Sequence, residues 1–165
     1  MRVYLPATLP MLRRLLDDGA LGVAPQRAFA VTPSVREWYA EGNEEELEYA
    51  ALREAAAASL RLIDGDPIAP RRRIVVAADV PDAAVTIRPD LDRAVVEVSA
   101  PVPLSAVASV HADTADAEEA VRAAANVVLE ADLGSEDAQF IVDGAEGHEL
   151  GWYATQEIGA LVELL

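Results

Sequence analysis

The chain has 165 residues, a net charge of −16, no cysteine and no lysine, which excludes structural disulfides, thiolate nucleophiles, cysteine-held metal centres, Schiff-base chemistry and a P-loop lysine. The acid excess argues against nucleic acid, which demands clustered cations, and against an anionic membrane surface. No run approaches roughly 18 apolar residues, and "MRVYLPATLP" lacks the apolar core of a secretory signal, so a single cytoplasmic domain spanning residues 1–165 is expected.

In chain order, a strand at 2–5 is followed by a helix at about 9–18, with Thr8 before it and Gly19 as its stop. A strand at 27–31 leads through Thr32 and Pro33, a cap and a first helical residue, into a short helix at 33–41. A long helix covers 44–63. Strands are expected at about 73–79 and 94–99, with a short extra one at 84–88. Pro101 and Pro103 mark a loop rather than a tight hairpin before the strand near 105–112. Thr114 then opens a helix at 115–131. Residues 132–148 read as a Gly- and acid-rich loop in which "AQFIV" forms a short strand. A final strand at 149–153 leads through Thr155 to a helix at 156–164. Interleaved short strands and helices give an α+β class: a mixed sheet with packed helices. The carboxyl-terminal β-β-α-β run fits part of a ferredoxin-like two-layer sandwich, and a three-layer α/β arrangement is the alternative.

The stretch "REWYAEGNEEELEYAALREAA", residues 36–56, holds a Trp, two Tyr and a run of glutamates. Gly42 ends the short helix, Asn43 caps the long one, and Glu46 takes the third helical place of a capping box. Glu44 and Glu45 meet the positive end of the helix dipole. Three glutamates thus have structural tasks, and Glu48 has none. Trp38 and Tyr39 are expected to fill the corner between the helices as core aromatics, with Arg36 reaching Glu41 or the glutamates beyond.

"TPSVREWYAEGNEEELEYAALREAAAASLRLID", "VASVHAD" and the "MRVYLPATLP" start resemble an actinobacterial family of small proteins with no assigned function. The resemblance covers most of the chain. It implies an intracellular bacterial protein, and it brings no reaction, cofactor or catalytic residue.

His111 and Asp113 end a strand, on one side of it by alternation. They read as a base with its orienting carboxylate, as two metal ligands with the distant His148, or as a strand-end polar residue beside a helix-capping Asp. Arg71, Arg72 and Arg73 read as an anion site or as a run paired to local acids, with Arg72 pointing away from the other two. Trp152 and Tyr153 point to opposite faces of the last strand, one into the core and one out. No Walker A, G-x-G-x-x-G, G-x-S-x-G or H-E-x-x-H motif occurs.

The charge is lopsided. Residues 1–80 hold ten Arg and twelve acids, net −2; residues 81–165 hold three Arg and seventeen acids, net −14. This favours a non-catalytic interaction or regulatory module, with a basic protein partner or self-association, no cofactor, no metal and no nucleic acid. The alternative is a small-molecule binder or enzyme whose site gathers Arg36, Tyr39 and Glu48 beside His111 and Asp113. Trp38 and Trp152 complete the candidate surface.

Overall fold

A computed structural model describes residues 1–165. The strands are β1 (Arg2–Ala7), β2 (Ala20–Leu21), β3 (Gln26–Phe29), β4 (Ile74–Asp79), β5 (Val85–Ile87), β6 (Val95–Val98), β7 (Val102–Pro103), β8 (Val107–Ala112) and β9 (Gly151–Ala154). The helices are α1 (Leu9–Asp18), α2 (Pro33–Trp38), α3 (Glu44–Asp64), α4 (Glu118–Asp132), α5 (Glu136–Glu146) and α6 (Ile158–Leu164).

Alternation in β1 dictates the layering. Val3, Leu5 and Ala7 point to one face and Tyr4 to the other, and all four are buried. A strand buried on both sides requires cover on both. On the first face, Leu9, Leu12 and Leu15 of α1 and Ile158 and Leu161 of α6 join Val3, Leu5, Val76 and Val96 in the largest apolar cluster. On the second, Val35 of α2 and Leu47, Ala51 and Ala55 of α3 pack on Tyr4, Phe29, Val75 and Val95. The alanines bring α3 close to the sheet. Its far side carries Leu60 and Ile63 into a third cluster with Val121 and Val128 of α4 and Val142 of α5.

The sheet order is β5-β6-β3-β1-β4-β8-β9, and every pairing is antiparallel. The α+β class holds, with the sheet as the middle of three layers. No strand pair is parallel, and the anticipated β-β-α-β run is opened out: β6 pairs with β3 and β5, whereas β8 pairs with β4 and β9. The Pro101–Pro103 connection explains this. It carries the chain past β3, β1 and β4, and on the way β7 pairs with β2 in a two-stranded ladder of its own.

Residues 132–148 are the clearest correction. They contain α5, not a loop with a strand. Ser135 caps it by accepting the Ala138 N–H at 3.2 Å. Glu136 and Asp137 occupy the first turn, and Ala138, Val142 and Ala145 form a buried helical stripe. The apolar run "FIV" mimicked a strand because Phe140 and Ile141 lie outside that stripe, on the exposed side.

The threonine joins fall where expected, but their chemistry differs. Thr32 caps α2 through the Val35 N–H. Thr8 makes no side-chain cap, Thr114 donates to Asp116, and Thr155 donates to the Val107 carbonyl at 2.9 Å. Gly19 ends α1 with φ of 77°, a left-handed conformation that favours glycine.

Candidate functional site

Asn43 starts α3 by accepting the Glu46 N–H at 3.0 Å, and the Glu46 carboxylate meets the Asn43 side-chain amide at 3.4 Å. This cap aims the first two turns of α3 across the sheet. Glu45, Glu48, Tyr49 and Leu52 become the wall of a cleft of 280 Å³. Its floor runs across four strands: Arg2 and Tyr4 of β1, Ala77 of β4, Ser109 and His111 of β8, and Trp152 of β9. Register makes the hollow. Tyr4 faces Ala77, Ala77 faces Ser109, and His111 faces Trp152. A methyl group between a tyrosine and a serine leaves the floor deep at Ala77.

Two further hollows continue this cleft. One, also of 280 Å³, shares Arg2, Tyr4 and Glu48 with it and reaches Met1, Arg36, Glu44 and Asp82. The other, of 80 Å³, shares Tyr49 and Leu52 and reaches Arg53, Arg73, Glu146, His148 and Glu149.

The ion pairing is uneven. Arg2 forks onto Asp79 at 2.7 and 3.0 Å. Arg36 forks onto Glu44 at 2.8 and 2.7 Å, Arg53 pairs with Glu146, and Arg73 pairs with Asp113. Every arginine lining the three hollows is therefore bound to a carboxylate, while Glu45, Glu48 and Glu149 form no ion pair.

At the floor, Ser109 Oγ lies 3.2 Å from His111 Nε2. Burial, and then the Arg2 charge, hold the His111 pKa below its ordinary value, so the ring is neutral at pH 7. Burial, and then the Glu48 charge, push the Tyr4 phenol upward. Ser109 and His111 have the spacing of a nucleophile and its base, but no carboxylate is bonded to the second ring nitrogen to orient the pair. A histidine whose folded pKa lies below its unfolded value binds fewer protons folded than unfolded. Its contribution to stability is intact above about pH 6.5 and is lost as pH falls below that value. Urea titrations from pH 7 to 5 are thus expected to show a steeper loss in the parent protein than in His111→Gln; parallel curves would contradict a half-buried neutral ring.

Of the residues singled out from sequence, Glu48, His111 and Trp152 meet in the first hollow and Arg36 in the adjoining one. Asp113 does not join His111. It caps no helix either: its carboxylate is fully buried, accepting the Arg73 backbone N–H at 2.7 Å and guanidinium N–H groups at 2.9 and 2.8 Å. Trp38 and Tyr39 are not core. Trp38 is 62% exposed, with the Arg93 guanidinium stacked 3.5 Å from its ring centroid, and Tyr39 is exposed as well. The helix α2 buries only Val35, so its last residue turns outward. Nor do the three arginines form an anion site. Arg71 donates to the carbonyls of Ile63, Asp66 and Ala69, and Arg72 donates to the Asp113 carbonyl and to Glu118. On β9, Trp152 stands in the cleft, and Tyr153 packs against the large core on the opposite face. Arg2, Tyr4, Glu45, Tyr49 and Ser109 were missed. Period-two alternation joins Ser109 to His111 and helical spacing joins Glu45 to both Glu48 and Tyr49, but Arg2 and Tyr4 need the strand order.

Over residues 1–162 the chain matches the model of a family described as "Family of unknown function (DUF6912)". The chain belongs to this family. No curated protein and no solved structure matches it. The DUF6912 assignment agrees with the resemblance to a family without an assigned function and leaves the reading of the cleft to its geometry. In this DUF6912 protein no three His, Asp or Glu side chains gather closely enough to hold a metal ion; His111 lines the first hollow and His148 the third. No helix is long and apolar enough to cross a membrane.

Proposed function

We propose that this protein is a non-catalytic binding protein whose cleft beside α3 accepts a ligand carrying a positively charged nitrogen, an ammonium or a guanidinium. The observation that carries the reading is the ion-pair pattern. The arginines of the cleft are neutralised in place, and Glu45 and Glu48 are left facing the cavity. Arg2 and Asp79 cancel, so the hollow has the net charge of two carboxylates. Tyr49 and Trp152 add exposed aromatic faces, which attract cations through the ring quadrupole. The neutral His111 adds no opposing charge. An anionic ligand would find no free cation to bind.

This reading selects the small-molecule alternative and keeps the absence of chemistry. Titration calorimetry with agmatine and with phenylalkylamines tests it. Binding is expected for the amines and not for the matching carboxylic acids. Glu48→Gln is expected to weaken it about tenfold or more, the worth of one charge-assisted hydrogen bond. Because Glu48 makes no ion pair, its loss should leave the melting temperature unchanged. Equal affinity in Glu48→Gln would overturn the proposal.

A further inference from the structure

Resting on that cationic reading, we infer that the ligand is an elongated amine with a planar aromatic ring at its other end, and that Trp152 is the residue that selects it. The cleft has two unlike ends. At one, Glu48 lines the cavity together with Arg2 and Tyr4 of β1. At the other, Trp152 rises from β9, the edge strand of the sheet. Between β1 and β9 lie β4 and β8. Three strand spacings of about 4.8 Å put the two ends roughly 14 Å apart. The middle is apolar on one side, with Leu52 and Ala77, and on the other carries the Ser109–His111 pair, which offers one acceptor and one donor to a polar group in the linker.

Trp152 is 62% exposed although it is flanked by a packed strand and lines a concave surface. The other tryptophan, Trp38, is equally exposed but has its face covered by Arg93. Trp152 has no cation stacked on it, so its indole face is available. A rigid aromatic at the mouth of a cleft is a low-entropy anchor for a planar group. A ligand with a cation alone would use the Glu48 end only; one of the right length would use both.

The test is a chain-length series read in a Trp38→Phe background, where Trp152 is the one remaining tryptophan. Phenethylamine, phenylbutylamine, phenylhexylamine and phenyloctylamine are titrated by fluorescence and calorimetry, with agmatine as the ring-free reference. Affinity is expected to pass through a maximum within the series, and the best member should change Trp152 emission. Trp152→Ala should weaken that member about tenfold and agmatine less than twofold, and Trp152→Phe should restore most of the loss. If Trp152→Ala weakens no amine while Glu48→Gln weakens all, the tryptophan selection is wrong and the cationic site stands. Affinity that climbs without a maximum and ignores Trp152 is bulk hydrophobic partition and overturns the inference. If neither agmatine nor any member binds, the cationic reading falls with it.

Discussion

Replacing Asp113 with alanine is expected to destabilise the protein by about 3–5 kcal/mol, a large part of the total stability of an ordinary domain. The carboxylate is not a solvated strand-end charge. It takes three hydrogen bonds from Arg73, one from the backbone and two from the guanidinium, and neither side chain is more than 3% exposed. Removing it strands a buried cation and a buried N–H at once, and both lose their compensation for being out of water. Arg73 also donates to the His148 carbonyl at 2.8 Å, so the same pair pins the segment between α5 and β9 to the start of β4. The double variant Arg73→Met, Asp113→Leu is expected to be less damaged than Asp113→Ala, because it leaves no unpaired buried charge, although the Arg73 N–H and the His148 carbonyl still lose their partners. Urea denaturation of the three proteins checks this. A cost below 1 kcal/mol for Asp113→Ala, or a double variant worse than the single one, would show that the pair is wet.

This ion pair also shows where sequence reading stops. From sequence, Asp113 reads either as a partner of His111, on the same side of one strand, or as a cap of the helix that follows, because a local pattern offers only local partners. Its real partner is forty residues upstream, supplied by the β4–β8 register. Elements with end signals of their own were legible. Gly19 ended α1, Asn43 opened α3, and Thr32 with Pro33 opened α2. The helix α5 was missed even though Ser135 caps it, because glycines on either side and exposed apolar residues within it resembled a strand in a loop. Glu48 was legible for a different reason: the cap and the dipole accounted for its neighbours and left it without a task. His111 and Trp152 stood out by residue type, but only the adjacency of β8 and β9 makes them neighbours. The cleft was therefore visible as scattered residues and not as a place. Its depth depends on Ala77, a residue whose contribution is its small size and which no motif would single out.

Leu60→Ala carries the second large expected effect, about 2–5 kcal/mol and near the upper part of that range. The layer that joins α3 to α4 and α5 is built mostly of small side chains: Ala117, Ala124, Ala125 and Ala145, with Val121, Val128 and Val142. Leu60 and Ile63 are the only large ones there, and both are fully buried. Alanines permit close approach but have no alternative rotamers, so they cannot swing in to fill the space a leucine leaves. The void stays open, and the cost includes the cavity as well as the lost transfer energy. The damage should also be local in character. Below Leu60, Ala51, Ala55 and Leu47 still hold α3 to the sheet. Around it, the ion pairs from α3 to the outer helices are the exposed pairs Arg61–Asp132 and Arg53–Glu146, each worth about 1 kcal/mol or less. Hydrogen exchange on Leu60→Ala should therefore show the α4–α5 hairpin opening more readily, while the amides of β1, β4 and β8 keep protection limited by global unfolding. Because Glu48 and Trp152 lie on the sheet side of α3, amine binding by the folded variant should persist. Uniform loss of protection across sheet and hairpin would mean instead that the outer helices are part of the cooperative core, and that the cleft depends on them.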